Sequence, residues 1–447
     1  MTTNLTRGRV TGPLIRFTIP LILGNIFQLT YNAVDSIMVG RYIGKQALAA
    51  VGTAGPVMNI ITFLVVGACL GAGVLMSEYF GAGDEEKLRY EVGTTLTAGL
   101  LFTVALSWLC AALAPQILRL TRVSEELLPE ASAYLRIICI ALSFTFLYNL
   151  FASALRAVGD AKSPLLFLAT SCVLNIFMDY VTIVHFHMGV EGAALATAIS
   201  EALSALLCAL YVWWKVPLLR MGARHLCIHK PLLRRTLGYS WATALQQTSL
   251  YIGKLLVQSC VNGLGVDTIA TFNAVNRIDD FAYTPQQNIA HAMTTFIAQN
   301  RGAGKYGRIR RGFRAGFVLE AGYWVLLALV VFPAAPWLMR LFVGDDAGVV
   351  RLGTSYLHMM AVLYILPAIT NWIQGYFRGM GNMSITVIST TVQMIGRVGF
   401  TFLFAPGMGI TGVAWACLGG WLCMLAYETP YLVRALRETG KTDAAGA

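Results

Sequence analysis

The sequence predicts an all-α membrane protein with twelve transmembrane helices in two six-helix bundles, the second bundle repeating the first. Three observations carry this prediction. The chain is 57% hydrophobic and only 12% charged, whereas ordinary soluble domains are about 25% charged. Its apolar residues form long runs, as over 14–38, 134–155 and 317–332, and a helix needs about 20 mostly apolar residues to cross a bilayer. Short motifs also recur in order at offsets of 220 to 222 residues.

Taken along the chain, spans are expected at about 14–39, 46–80, 90–114, 131–156, 163–186, 190–214, 235–262, 268–299, 312–342, 349–377, 383–405 and 410–434. Residues 1–11 are polar and the first apolar run is too long for a signal h-region, so the first span reads as uncleaved. Pro20, Pro56, Pro285 and Pro367 are expected to kink their helices, which membrane helices tolerate when neighbours satisfy the freed carbonyls. Of the nine cysteines, all but Cys227 fall inside spans, so they read as small packing residues and not as a disulfide framework. His185 and His187 have His-x-His spacing but no further ligand in register, so no metal site is expected there. Trp213, Trp214 and Trp421 read as interfacial belt residues.

Twelve spans put both termini on one side. That side holds 23 of the 33 Lys and Arg residues, against seven on the other. Basic residues accumulate on the cytoplasmic side, so both termini of the multi-pass chain are expected in the cytoplasm. The net charge of +11 is then a matter of topology, and no nucleic-acid partner is expected.

The repeat is visible by eye. Residues 77–83 (SEYFGAG) match 298–304 (AQNRGAG), 155–160 (LRAVGD) match 377–382 (FRGMGN), and 189–194 (GVEGAA) match 409–414 (GITGVA). Six spans per half is an even number, so the halves share one orientation, the parallel-repeat arrangement that brackets a central cleft. The expected domains are an N-terminal lobe over 1–214, a basic cytoplasmic linker over 215–234 and a C-terminal lobe over 235–447. Gly71, Gly73, Gly81 and Gly83 are expected to let helices approach closely.

A charged group at bilayer depth costs about 2.5–3.5 kcal/mol on insertion scales, so each one needs a reason. Asn25, Gln28, Asn32 and Asp35 form one stripe on the first span, and Ser171, Asn175, Asp179 and Thr182 form another on the fifth. Thr197 and Glu201 share a face of the sixth. At 1.5 Å per residue, Asp35, Asn175, Asp179 and Thr197 all fall roughly 8–15 Å below the outer surface, where they can converge. Two carboxylates in such a pocket can share a proton; ringed by amide and hydroxyl oxygens, they can instead hold Na⁺. The second half departs from this pattern. Position 256, the counterpart of Asp35, is Leu256, and Lys254, Arg277, Asp279, Asp280 and Arg397 read as an ion-pair network, with Gln287 on the Arg277 stripe. No HExxH or GxSxG motif stands on a span, so no enzyme activity and no cofactor are expected.

With 32–40 (NAVDSIMVG), 49–52 (AAVG), the two Gly-Ala-Gly helix ends and 189–197 (GVEGAALAT) in hand, the chain resembles the multidrug and toxic compound extrusion (MATE) family of the MOP superfamily, and within it the bacterial multidrug efflux branch, from about residue 12 to 435. The resemblance implies a V-shaped pair of six-helix bundles that exports cationic or amphipathic drugs by alternating access in exchange for H⁺ or Na⁺. It also implies an ion-coupling site at Asp35, Asn175, Asp179 and Thr197. A substrate cavity is expected to draw on Gln28, Asn32, Glu201, Lys254, Arg277, Asp280, Gln287 and Arg397. The second-lobe acidic site of another branch does not carry over, because Asn371, Trp372 and Gln374 offer no carboxylate. The expected partners are drug-like small molecules and the lipid bilayer, with the protein a monomer. The alternative is a flippase for lipid-linked saccharides, for which Lys254, Arg277 and Arg397 would supply cationic groups.

Overall fold

The computed structural model describes residues 4–121 and 123–445, with side chains through residue 438. Twelve long helices follow in order: α1 (Thr11–Met38, continued by a wider turn over Val39–Ile43), α2 (Lys45–Ala82), α3 (Glu85–Ala112), α4 (Leu128–Ala157), α5 (Lys162–Asp179, continued by a wider turn over Tyr180–His185) and α6 (Gly189–Lys215) in the first half. In the second half come α7 (Lys230–Val261), α8 (Val266–Gly302), α9 (Tyr306–Val343), α10 (Ala347–Leu363 with Ile365–Met380), α11 (Met383–Met408) and α12 (Ile410–Ala445). The remaining described helices are short, such as Ala114–Leu120. The expected span boundaries agree with these within a few residues, apart from helix ends that run further into solvent.

Among the described residues, nine of these helices are long and apolar enough to cross a membrane, and the bent pair that makes up α10 is a tenth. The other two, α7 and α8, carry the embedded glutamines and charges. The 43° bend in α10 falls at Tyr364, where Pro367 has no N–H to offer the carbonyl of Leu363 and its ring presses on that carbonyl.

The duplication shows in the backbone. Gly44 and Gly265 turn the chain out of α1 and α7 with φ of 127° and 97°, and Gly83 and Gly304 (73° and 67°) do the same after α2 and α8. Gly159 and Gly381 (86° and 80°) and Gly189 and Gly409 (62° and 60°) complete the set. A side chain at such angles clashes with its own backbone, so each repeat retains glycine where its helices must reverse.

The chain separates into two compact units, one of Ile19–Leu245 and one of Leu5–Thr18 with the chain from Gln246 onward. It therefore passes from one unit to the other inside α1 and again inside α7. In unit 1 the start of α7 is held by Arg235, which donates twice to the Glu78 carboxylate at 2.8 Å and lies over the Tyr79 ring. Gly71 makes that packing possible: a Cβ there would lie 2.5 Å from the Tyr239 carbonyl oxygen and 2.4 Å from Thr243 Oγ1. In unit 2 the chain before α1 is held by Arg308, which donates to the carbonyls of Leu5, Arg7 and Gly8, and by Leu5 N–H donating to Gln299 Oε1 at 3.1 Å.

Unit 1 has two apolar cores. One gathers Leu75, Met76, Leu88, Leu150 and Leu155 toward the α2 C-terminus, and the other gathers Ala50, Ala54, Leu118, Leu135 and Ile183 toward the α1–α2 turn. Unit 2 has one core around Phe272, Met339, Tyr356, Tyr364 and Trp421. Trp421 is thus a core residue and not a belt residue: it is 4% exposed and its ring meets Tyr283 edge-on. Trp213 and Trp214, by contrast, are more than half exposed.

Candidate ion-coupling site

The polar stripe of α5 faces the interior of unit 1. Ser171, Asn175, Asp179 and Thr182 are all buried, Asp179 completely. Ser171 donates to the Ser200 carbonyl, and Thr182 donates to the carbonyls of Met178 and Gly192 at 2.9 and 3.0 Å, so the stripe is fastened to α6 at both ends. Between these ties Asn175 Nδ2 donates to Thr197 Oγ1 at 3.5 Å. Asp35 comes in from α1, half-buried, and its carboxyl group lies within hydrogen-bonding reach of the Asp179 carboxyl group. It does not cap its helix, which runs on to Ile43.

The donor inventory of this pocket is unbalanced. Asp35 Oδ1, both carboxylate oxygens of Asp179 and Asn175 Oδ1 are buried without a hydrogen-bond donor. Among the described residues, neither carboxylate has an ion pair. Two carboxylates have only acceptors to offer each other unless a proton or a cation lies between them, and a buried, unpaired charge is strongly unfavourable. The arrangement of carboxylate, amide and hydroxyl oxygens fits a proton or a hard cation that takes oxygen ligands.

Directly after the two carboxylates both helices widen. Gly44 N–H reaches back to Val39 O at 3.2 Å and Phe186 N–H to Val181 O at 3.0 Å, each spanning five residues instead of four. Such turns recur at functional sites. Two aromatic residues that the sequence reading did not single out lie near the pocket. Tyr31 lies within electrostatic range of Asp35 and Glu201, and Tyr134, 4% exposed, lies within range of Asp35, Asp179 and Glu201. Tyr31 stands one turn before Asp35, a spacing that could have marked it. Tyr134, on α4, carried no such signal.

Of the expected cavity residues in unit 1, Gln28 and Asn32 lie on the exposed face of α1, and Glu201 accepts a hydrogen bond from Thr145 one helical turn beyond Thr197. In unit 2 the expected network of five charges forms only in part. Lys254 Nζ pairs with Asp280 Oδ1 at 2.6 Å. Asp279, 4% exposed, is held by the hydroxyls of Tyr364 and Tyr356, with Arg397 within electrostatic range. Arg277 is exposed and has no ion pair among the described residues; Asp279 and Asp280 turn to different sides of α8, and only the first faces the core. Arg277 and Gln287 both lie on the exposed face of α8.

Two further buried acids of unit 2 were not marked by the sequence reading. Glu428 on α12, fully buried, accepts from Gln374, whose amide also donates to Ser389 Oγ at 2.7 Å, while Gln246 donates to Gln374 Oε1 at 2.8 Å. Glu320 on α9 is 1% exposed with neither oxygen hydrogen-bonded. No group of three or more His, Cys, Asp or Glu side chains suited to a metal ion occurs among the described residues.

Residues 20–181 and 242–403 each match the MatE family, the two matches beginning and ending 222 residues apart. The chain is 27% identical to the probable multidrug resistance protein YpnP of Bacillus subtilis over 92% of both chains. It is 22% identical to the multidrug export protein MepA of Staphylococcus saprophyticus over 92% of this chain and 91% of that one. Among solved structures, it resembles the outward-facing conformation of a multidrug resistance MATE family transporter of the MOP superfamily, with a TM-score of 0.91, 23% identity and coverage of 99% of this chain and 100% of that one. The family matches, repeated once per lobe on the twelve-helix fold, make this chain a member of the MatE family of multidrug efflux transporters.

Proposed function

We propose that this protein is a secondary antiporter of the inner membrane, with both termini cytoplasmic, that exports amphipathic or cationic drugs as H⁺ or Na⁺ enters through Asp35, Asn175, Asp179 and Thr197. The observation that carries the reading is the donor-free pair Asp35 and Asp179. A cation arriving from outside cancels the repulsion between the two carboxylates and lets α1 close on α5 and α6. Without it the same groups repel and favour separation. An ion that binds one arrangement better than the other shifts their populations by its differential affinity. One elementary charge falling through 100 mV supplies about 2.3 kcal/mol, enough for more than a tenfold concentration ratio.

The substrate side of the reading draws on exposed polar groups at bilayer depth. In unit 2, Asn273, Arg277 and Gln287 on α8 are exposed and too polar to face hydrocarbon, and in unit 1 the same holds of Gln28 and Asn32 on α1, so each unit keeps a polar face for water. The protein acts as a monomer on small molecules and carries no cofactor in this reading. A saccharide flippase would draw on free cationic groups at Lys254, Arg277 and Arg397, and Lys254 is already taken by Asp280. The test is drug export from proteoliposomes with pH and Na⁺ gradients imposed separately. Export driven by one gradient supports the reading and names the ion, and export indifferent to both overturns it.

A further inference from the structure

Unit 2 contains a cavity of about 450 Å³ formed by α8 with the end of α9 and the start of α10. Its polar lining is Asn273, Arg277 and Asp346, and its apolar wall includes Phe342, Val343 and Val349. Ligand pockets commonly run from about 300 to 1,000 Å³ and set a few polar groups against an apolar wall.

The charges of the unit single out one of these groups. Lys254 is matched by Asp280, and Asp279 is matched by two tyrosine hydroxyls with Arg397 in range. Arg277 has no such match among the described residues. Asn273 stands one helical turn before it and lines the same cavity, so a planar acid group can take hydrogen bonds from both. Asp346 lines the cavity as well, but its Oδ1 accepts from the N–H groups of Gly348 and Val349 at 3.0 and 3.1 Å and it forms no ion pair with Arg277. Its other oxygen is available to a cation. Arg277 thus offers a guanidinium to an anion and Asp346 a carboxylate to a cation, and Phe342 adds a half-exposed apolar surface to the same cavity.

We propose that this cavity recognises zwitterionic amphiphiles, with the carboxylate of the ligand on Arg277 and Asn273 and its cationic portion toward Asp346. The proposal rests on the export reading and names a substrate class for it. It makes Arg277 a specificity-determining residue for acid-bearing compounds.

The test uses rhodamine B, which carries a carboxylate and a delocalised cation, and its methyl ester, which keeps only the cation. Binding of each is measured by fluorescence anisotropy on the detergent-solubilised full chain, at equilibrium and without gradients, so a failure of ion coupling leaves the result intact. The wild-type protein is expected to bind the acid about tenfold more tightly than the ester, the factor a charge-assisted hydrogen bond supplies. In Arg277→Gln the ratio is expected to fall to near one, and in Arg277→Lys to an intermediate value. In Asp346→Asn both dyes are expected to weaken together. A wild-type protein that does not prefer the acid, or an Arg277→Gln variant that weakens both dyes in parallel and keeps the ratio, overturns the proposal.

Discussion

In unit 1, Asp35 and Asp179 meet with no guanidinium or ammonium group beside them, whereas in unit 2 Asp280 is answered by Lys254 and Asp279 by Tyr356 and Tyr364. The two units fold on one repeated pattern, down to the left-handed glycines that end matching helices. With family matches ending at 181 and 403, Arg397 and Thr401 occupy the places of Asn175 and Asp179. The same scaffold therefore carries an unneutralised acid pair in one unit, whereas in the other the two adjacent acids of α8 each have a partner. A matched charge is held in place by its partner and has little reason to exchange ions. An acid pair without donors is stable only when something mobile sits between its members.

The largest expected effect separates the two units outright. Asp35→Asn or Asp179→Asn should reduce gradient-driven export in proteoliposomes to the level of empty vesicles, because one amide removes the repulsion that ion entry relieves. Export that survives both substitutions would erase the contrast between the units.

Asp279→Asn should act on stability instead of coupling. It leaves an NH₂ group against tyrosine hydroxyls and removes the countercharge of Arg397, at a cost of about 1–3 kcal/mol for disrupted buried hydrogen bonds. The variant should unfold at lower temperature in detergent and yet show a gradient-driven export rate, per folded molecule, close to wild type. A loss of coupling at unchanged stability would put an ion site in unit 2.

Asp280→Asn should cost about 1 kcal/mol or less, since the pair with Lys254 is about 40% exposed on both sides and is screened accordingly. Lys254→Met with Asp280→Asn should recover most of that loss. A double variant less stable than either single one would mean that these residues have separate partners.

The smallest effect is expected at Glu320. Glu320 is buried with no donor on either oxygen, so Glu320→Gln replaces one isolated polar group by another of the same shape. Its melting temperature and export should match wild type. If it abolishes coupling as Asp179→Asn does, pairing is not what distinguishes the unit 1 site.

Much of this architecture was legible in the sequence because membrane spans and repeats are one-dimensional signals. Helix–turn boundaries follow apolar runs and glycines, and the stripe of Ser171, Asn175, Asp179 and Thr182 follows from helical periodicity alone. Tyr31 and Tyr134 were not legible as site residues, since an aromatic side chain in an apolar helix looks like packing until its neighbours are known. Glu428 and Glu320 went unmarked for a related reason: an isolated acid in a span gives no sign of whether it meets an amide, an arginine or nothing.

The sequence by itself determined the number and order of the long helices, the duplication and the polar face of α5, because length, hydropathy and period are local properties of the chain. Only the tertiary structure decided which charges meet. Asp35 finds Asp179 across 144 positions, Lys254 takes Asp280 and leaves Arg277 open, and Asp279 turns into a core of tyrosines. Electrostatic interaction depends on distance in space and on which groups share a dehydrated pocket, and neither is set until helices far apart in the chain have packed.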